Sequence, residues 1–204
     1  MKKFITVSPF QDKDKLKKGI YHAIDNSALQ YDREISFPIL SVINGYASAG
    51  EKIEIICIQS DMTNAIENTK VLDSELKQLC CEKNITYTLT ILSIAYNNLL
   101  ETHLNTFYQL IEHCQDSDEL YICTTYGFKP LSIVEMSALS YASRIKKDIK
   151  VGCVVYGEND YQSGEMRIYD VTSLYLLNEV IDHLAQANVE NPFKQIELLL
   201  GVEQ

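Results

Sequence analysis

The chain has 204 residues, of which 46% are hydrophobic, and its formal net charge is −10 at pH 7. A chain of this length buries about 70% of its unfolded surface on folding, so its core needs no disulfide or metal. The acidic balance excludes a general DNA- or RNA-binding protein, which needs an extended basic face. It still allows a small anionic ligand, because a few N–H groups and lysines are enough to hold phosphates.

The apolar runs of the chain are all far shorter than the roughly 20 residues that a membrane span needs. The first apolar stretch follows Lys2 and Lys3 and ends at Ser8-Pro9. It is too short for the apolar region of a secretory signal peptide. We therefore expect a cytoplasmic protein without a membrane partner.

The six cysteines and four histidines lack the spacings that are typical of metal sites. The sequence has no C-x-x-C, H-x-x-x-H or H-E-x-x-H pattern, so we expect no zinc site and no other cofactor. Four of the cysteines lie within or beside apolar runs, where free thiols behave as small apolar side chains. These four are Cys57, Cys114, Cys123 and Cys153.

Strands and helices alternate along the chain, as in α/β proteins. In chain order, we predict a strand at 4–8, a helix at 36–48, a strand at 53–58, a helix at 61–83, a strand at 85–92, a helix at 98–114, a strand at 119–124, a helix at 131–147, strands at 149–156 and 165–171, a helix at 172–186 and two helical turns at 193–201. The turn-rich residues between the last two strands predict an antiparallel hairpin at one edge.

The repeated strand–helix units predict a Rossmann-like, mostly parallel sheet flanked by helices, with that hairpin at its C-terminal edge. We assign residues 1–188 to one domain and residues 189–204 to a short tail or helix. Ligands of such sheets bind beyond the carboxyl ends of the strands, where the strand order reverses. The loops after the first strand and after the strand at 119–124 therefore become the candidate site.

The loop at 124–130 carries the donors that a phosphate needs. It combines two hydroxyls, a glycine that lets the backbone approach a ligand, a lysine, and a proline suited to the first turn of the next helix. An ordinary polar turn between a strand and a helix is the alternative interpretation. The residues are Thr124, Thr125, Tyr126, Gly127, Phe128, Lys129 and Pro130.

The loop after the first strand holds four lysines and two aspartates between residues 8 and 19. In a parallel sheet it lies at the same edge as the loop at 124–130. The alternative interpretation is a solvated, mobile run of charges. The residues closest to the strand end, which we also assign to the ligand site, are Ser8, Pro9, Phe10 and Gln11.

Familiar catalytic motifs are absent from the sequence. It contains no Walker loop, no G-x-G-x-x-G, no G-x-S-x-G and no arrangement of serine, histidine and aspartate typical of a hydrolase. The sequence therefore offers no motif of a known catalytic type.

The segment from Glu119 to Pro130 resembles the D-x-T-H-G-F-R-x-x-P segment of CRISPR-associated Rossmann-fold (CARF) proteins of the DxTHG class. Tyr126 stands where that family usually has histidine, Lys129 where it has arginine, and Cys123 where it has aspartate. The segments 31–38 and 169–174 also resemble stretches of the family, and the resemblance extends over roughly residues 3 to 188.

The resemblance implies a homodimer that binds cyclic oligoadenylate, as the tetra- or hexaadenylate ring, in a cleft on its two-fold axis. Each subunit then holds half of the ring, and two copies of Lys129 face its phosphates. Such domains control effector domains in antiviral defence. Residues 189–204 are too few for an effector domain.

Two alternatives remain open. One is a metal-independent ring nuclease, in which a ribose 2′-OH attacks the adjacent phosphate and leaves a linear product with a 2′,3′-cyclic phosphate. Thr124 or Thr125 would position the ribose there, and Lys129 would stabilise the developing charge. The other is a Rossmann-like nucleotide-binding protein outside CRISPR systems.

Overall fold

The computed structural model describes residues 1–160 and 162–200, and residue 161 and residues 201–204 lie outside this description. The chain divides into two compact units, Met1–Asp170 and Val171–Gln204. The domain boundary that the sequence suggests, after residue 188, stays a prediction.

The first unit contains seven strands and four helices among its described residues. The strands are β1 (Lys2–Val7), β2 (Tyr21–Ala23), β3 (Lys52–Ser60), β4 (Thr86–Ile94), β5 (Glu119–Cys123), β6 (Lys150–Asn159) and β7 (Met166–Asp170). The helices are α1 (Ile39–Tyr46), α2 (Thr63–Lys83), α3 (Leu100–Glu112) and α4 (Lys129–Ile145).

The strands form one sheet in the order β2-β7-β6-β5-β1-β3-β4. All neighbours pair in parallel except β6 and β7, which form the predicted antiparallel pair. The predicted mostly parallel α/β fold is therefore confirmed. The three-residue strand β2, which the sequence analysis does not predict, lies on the outer side of β7.

Buried apolar side chains on both faces of the central strands explain why these segments form a parallel sheet. Four consecutive residues of β3 are fully buried, from Ile55 to Ile58. Phe4 of β1 stacks on Tyr121 of β5, with ring centroids 4.7 Å apart. Cys57, Cys114, Cys123 and Cys153 are buried, as predicted.

The strand order reverses between β1 and β5, which is the feature that positions a site. From β1 the chain moves outward to β3 and β4, then returns to place β5 on the other side of β1 and continues to β6. The loops after β1 and β5 diverge at their carboxyl ends and leave a crevice there. The candidate loops of the sequence analysis are these two.

The second unit contains two helices, α5 (Thr172–Gln186) and α6 (Phe193–Leu200). Helix α5 has the bounds that the sequence predicts, and α6 begins just after the Asn191-Pro192 break. Within the described ranges, we find no helix with the length and apolar character to cross a bilayer.

Candidate functional site

A cavity of 380 Å³ lies at the carboxyl ends of β1, β5 and β6. We call the loop of residues 8–18 the lysine loop and the loop of residues 124–128 the threonine loop; both contribute walls. The lining residues include Gln11, Lys15, Lys17, Thr125, Tyr156 and Asn159. The cavity thus combines two cations, two amides, a hydroxyl and an aromatic ring.

The charge within the cavity differs from that of the whole chain. Lys15 and Lys17 line it together with one carboxylate, that of Glu158. Glu158 accepts a hydrogen bond of 2.8 Å from the Tyr169 hydroxyl and lies 3.6 Å from the Arg167 guanidinium. Arg167 also pairs with Glu165, at 2.6 Å, so it is shared between two carboxylates. The lining residues themselves comprise two lysines and one carboxylate, which makes the cavity locally basic in a chain of net charge −10 and suits an anionic ligand.

Two asparagines of α2 hold the lysine loop in place. The amide nitrogen of Asn68 donates to the carbonyl oxygens of Pro9 and Gln11, both at 2.9 Å. One turn earlier, the amide nitrogen of Asn64 donates to the Asp12 carboxylate at 2.8 Å. Asn68 is fully buried, so its two bonds are protected from water and fix the start of the loop.

The lysine loop also reaches across the cavity. The ammonium of Lys17 donates to the side-chain oxygen of Asn159 at 3.1 Å, and the Lys15 ammonium lies 3.6 Å from the Asp12 carboxylate. These contacts fold the loop back over the ends of the strands and keep both lysines beside the cavity.

The threonine loop is fixed to the neighbouring strand β6. The Thr125 hydroxyl oxygen accepts a hydrogen bond of 2.7 Å from the Gly157 N–H and lies 3.2 Å from the Cys123 sulfur. Thr124 donates both its N–H and its hydroxyl to the Val155 carbonyl oxygen, at 3.0 and 3.2 Å. Thr125 therefore lines the cavity, and Thr124 serves the loop's own structure.

Tyr126 faces the cavity with its ring but not with a free hydroxyl. Its hydroxyl donates to the Ser36 carbonyl oxygen at 2.8 Å. Burial raises the pKa of both Tyr126 and its neighbour Tyr21 above the ordinary tyrosine value, so neither phenol is a base at neutral pH. Tyr126 therefore closes the wall of the cavity.

Gly127 has a φ of +105°, a conformation that L side chains rarely adopt. A Cβ atom at this position would lie 3.0 Å from a methyl group of Val7 and 3.1 Å from one of Leu131. The glycine thus allows the threonine loop to turn tightly over β1 before α4 begins.

Three aromatic rings join the two loops on the side away from β6. The ring of Phe128 lies 4.6 Å from that of Phe10 and 4.8 Å from that of Tyr96, centroid to centroid. Asp61 holds Tyr96 in position by accepting its N–H at 2.9 Å. Phe10 and Phe128 therefore link the loops and do not line the cavity.

Ser8 and Pro9 lie beneath the surface. Ser8 is fully buried and its hydroxyl donates to the Ala65 carbonyl oxygen at 2.7 Å, while Pro9 is buried beside it. Both are among the residues expected at the ligand site, and their contacts with α2 shape the start of the lysine loop.

Lys129 is the first residue of α4, and Pro130 occupies the first turn as predicted. The lysine is exposed and does not line the cavity wall. Among the described residues, no carboxylate lies within ion-pair distance of its ammonium. Its charge and the positive end of the helix dipole therefore add to a positive rim next to the threonine loop.

A larger cavity, of 730 Å³, lies between the end of β4 and α3. Its walls contain no lysine or arginine, and one glutamate, Glu101, lines it. An anionic ligand is therefore better matched by the smaller cavity at the switch point, despite the difference in volume.

The sequence analysis missed the cavity residues Tyr156 and Asn159 and the supporting residues Asn64 and Asn68. The end of β6 reaches the site because β6 is parallel to β5, which makes its last residues a third candidate segment. The two asparagines, four residues apart on α2, share one helix face. The spacing indicates that the two side chains share a contact surface, but the sequence does not show that the lysine loop is their partner.

No family model matches the chain, and no curated protein is similar to it in sequence.

Proposed function

We propose that the chain is a cytoplasmic sensor domain that binds cyclic oligoadenylate as a two-fold dimer in type III CRISPR antiviral defence. The observation that carries this proposal is the locally basic cavity at the switch point, with Lys15, Lys17 and Thr125 in its walls. The resemblance of residues 119–130 to CARF proteins supplies the identity of the ligand.

The chemistry of the cavity suits a phosphodiester ring. Phosphate oxygens accept hydrogen bonds from ammonium, amide and hydroxyl groups, which Lys15, Lys17, Gln11 and Thr125 provide. Tyr156, whose side chain is 44% exposed, offers a ring face on which an adenine can stack. The site thus has a partner for each part of an adenylate.

The size of the cavity supports a shared site. Its 380 Å³ lie at the low end of the range for a single drug-sized ligand, roughly 300–1,000 Å³. A ring of four or six adenylates is larger than such a ligand, so it requires a second cavity from a symmetry-related subunit. A ring with two-fold symmetry fits a site that two subunits form on a two-fold axis.

Helix α4 offers a surface for the dimer. Ile133, Tyr141 and Ile145 are 69%, 48% and 50% exposed, and their spacing in multiples of four puts them on one face of the helix. Lys129 lies one turn before Ile133 on this helix. Packing of two such faces would bury the apolar side chains and bring both copies of Lys129 towards the axis.

The test is a calorimetric titration with cyclic tetra- and hexaadenylate, with chromatography to show whether the ring stays intact. We expect one ring per dimer. The variant Lys129→Ala should weaken binding by about 1.5–3 kcal/mol, or about 10- to 150-fold, which is the range for a charge-assisted hydrogen bond. Light scattering should find the same mass for the variant and the wild type, because the apolar face of α4 is unchanged.

The double variant Lys15→Ala, Lys17→Ala should weaken binding further, because it removes both cations from the cavity. Lys77→Ala is the matched control, since Lys77 is an exposed lysine on α2 that pairs with Asp73. Absence of binding to either ring, or an equal loss in the Lys77 control, would contradict the proposal.

A further inference from the structure

Strand β4 ends the sheet with an open edge of nine residues. Its Thr86 N–H donates to the Glu51 carbonyl oxygen on the side of β3. Since alternate residues of a strand direct their backbone groups to opposite sides, Tyr87, Leu89, Ile91 and Ser93 direct theirs away from β3. In the described part of the chain, no hydrogen-bond partner reaches these outward groups.

The sequence of β4 has none of the features that protect an edge. Proteins usually shield an open edge with charges, prolines, bulges or a very short strand. Residues 86–94 contain no charged residue, proline or glycine, and their register with β3 is unbroken over all nine residues. The opposite edge is protected, since β2 has three residues.

The lack of charged side chains on β4 favours a second copy of the same chain as the partner of this edge. In a two-fold contact, each residue lies opposite residues of the same segment in the second copy. The chain has 28 acidic residues, so most of its charged surface would repel the same surface of the second copy. Strand β4 carries no charged side chain of its own, and the Glu54 carboxylate that accepts a hydrogen bond from Thr90 is paired with Lys3 at 3.2 Å, so this repulsion is small there. We propose that β4 pairs with β4 of a second copy, antiparallel, to join two sheets into one.

One register pairs all nine residues. Centred on Thr90, it places Leu89 opposite Ile91 and Tyr87 opposite Ser93, and these four residues carry the outward backbone groups. Thr90 then faces Thr90 of the second copy in a pair without direct backbone hydrogen bonds, where the two Cα atoms lie about 4.5 Å apart.

Helix α3 supplies apolar surface beside the same edge. Leu100, Leu104 and Tyr108 are exposed at intervals of four residues and line the 730 Å³ cavity next to Ser93 and Ala95. A two-fold axis perpendicular to the joined sheet puts both copies of α3 on one face, across the seam from each other. Pairing of β4 thus covers these apolar side chains of α3 as well as the backbone groups.

The first experiment measures the mass of the unliganded protein by light scattering at micromolar concentration. We expect Ile91→Lys to halve the mass, because it adds a charge to the seam that is repeated in the second copy. Ile20→Lys is the matched control, since Ile20 and Ile91 are 36% and 38% exposed and Ile20 precedes β2 at the opposite edge. Equal masses of the two variants would overturn the proposal.

The second experiment tests the register by disulfide formation in a Cys81→Ser background, because Cys81 is the exposed cysteine of the six. Thr90→Cys should give a covalent dimer under mild oxidation, because its Cα separation falls within the disulfide range. Thr88→Cys should not, since two copies of residue 88 would lie roughly 14 Å apart. A monomeric Thr90→Cys protein would refute this register.

These measurements use no ligand and do not rest on the proposed sensor function. The edge of β4 and the face of α4 are different surfaces, so a variant can lose one contact and keep the other. If Ile91→Lys halves the mass while ring binding is never observed, β4 pairing stands and the sensor proposal fails. If ring binding is observed and Ile91→Lys keeps the wild-type mass, the sensor proposal stands and β4 pairing fails.

Discussion

The two loops at the switch point are held in place by different means. The lysine loop depends on side chains of another element, since Asn68 and Asn64 of α2 bind its backbone and Asp12. The threonine loop depends on its own neighbours, through bonds to the backbone of β6 and a glycine turn. One side-chain substitution can therefore release the first loop, whereas the second loop follows the sheet and α4.

The helix that continues the threonine loop contains a buried acid. Glu135 of α4 is fully buried, and neither of its carboxylate oxygens has a hydrogen-bond partner among the described residues. Burial raises the pKa of this carboxyl to about 8, so the folded protein holds its proton at neutral pH. The stability of the protein therefore depends on pH through this helix.

The largest effect should come from Glu135→Gln. The ordinary pKa of the carboxyl is 4.5 and its folded value is about 8, so between these values the folded state binds a proton that the unfolded state has lost. The stability of the wild type therefore falls as pH rises from about 4.5 to 8, by up to about 1.4 kcal/mol per pH unit. The variant lacks this loss and should be more stable by about 4 kcal/mol at pH 8.

Urea unfolding at several pH values between 5 and 8 measures this difference. Glu67→Gln, which replaces an exposed carboxylate on α2, is the control and should keep the slope of the wild type. Parallel pH profiles for the wild type and Glu135→Gln would show that the folded state does not hold the extra proton.

The next effect should come from Asn68→Ala, which removes both bonds to the backbone of the lysine loop. Two buried carbonyl oxygens lose their donor, which costs about 2–3 kcal/mol of unfolding free energy. The loop should also exchange its amide hydrogens faster, and binding of cyclic oligoadenylate should weaken because Lys15 and Lys17 lose their fixed positions.

Asn64→Ala is the matched control for Asn68, one turn away on the same helix face. Its bond to Asp12 is exposed and its bond to the Phe10 carbonyl oxygen is long, at 3.3 Å, so the loss should stay below about 1 kcal/mol. If both variants lose the same stability, the buried bonds do not account for the position of the lysine loop.

A smaller effect should come from Gly127→Ala, which tests the turn of the threonine loop. An alanine at a φ of +105° is strained, and its Cβ would press on Val7 and Leu131. We expect a loss of about 1–2 kcal/mol in unfolding free energy, measured by urea titration. Gly164→Ala is the control, since its φ is +78° but nothing lies within 4 Å of the added Cβ; a greater loss there would exclude crowding as the cause.

The sequence was enough to predict the fold because the buried strands are nearly continuous apolar runs with helices between them. It also indicated both loops, since a parallel sheet places them at one edge. The strand β2 escaped prediction because Tyr21–Ala23 is held by its pairing with β7 and not by its own pattern. The burial of Ser8 likewise depends on Ala65 of α2, a partner that is distant in the sequence.

The smallest effect should come from Thr125→Val, which keeps the shape of the side chain and removes its hydroxyl. The Gly157 N–H then loses its acceptor, for a loss of about 1 kcal/mol in unfolding free energy. Thr125→Ser keeps the hydroxyl and should keep most of the stability. Because the threonine loop retains the bonds of Thr124 to β6, the lysine loop should stay in place and Lys17 should keep its contact with Asn159. Hydrogen exchange in residues 8–18 checks this; faster exchange there in Thr125→Val would mean that the two loops are coupled and are not held separately.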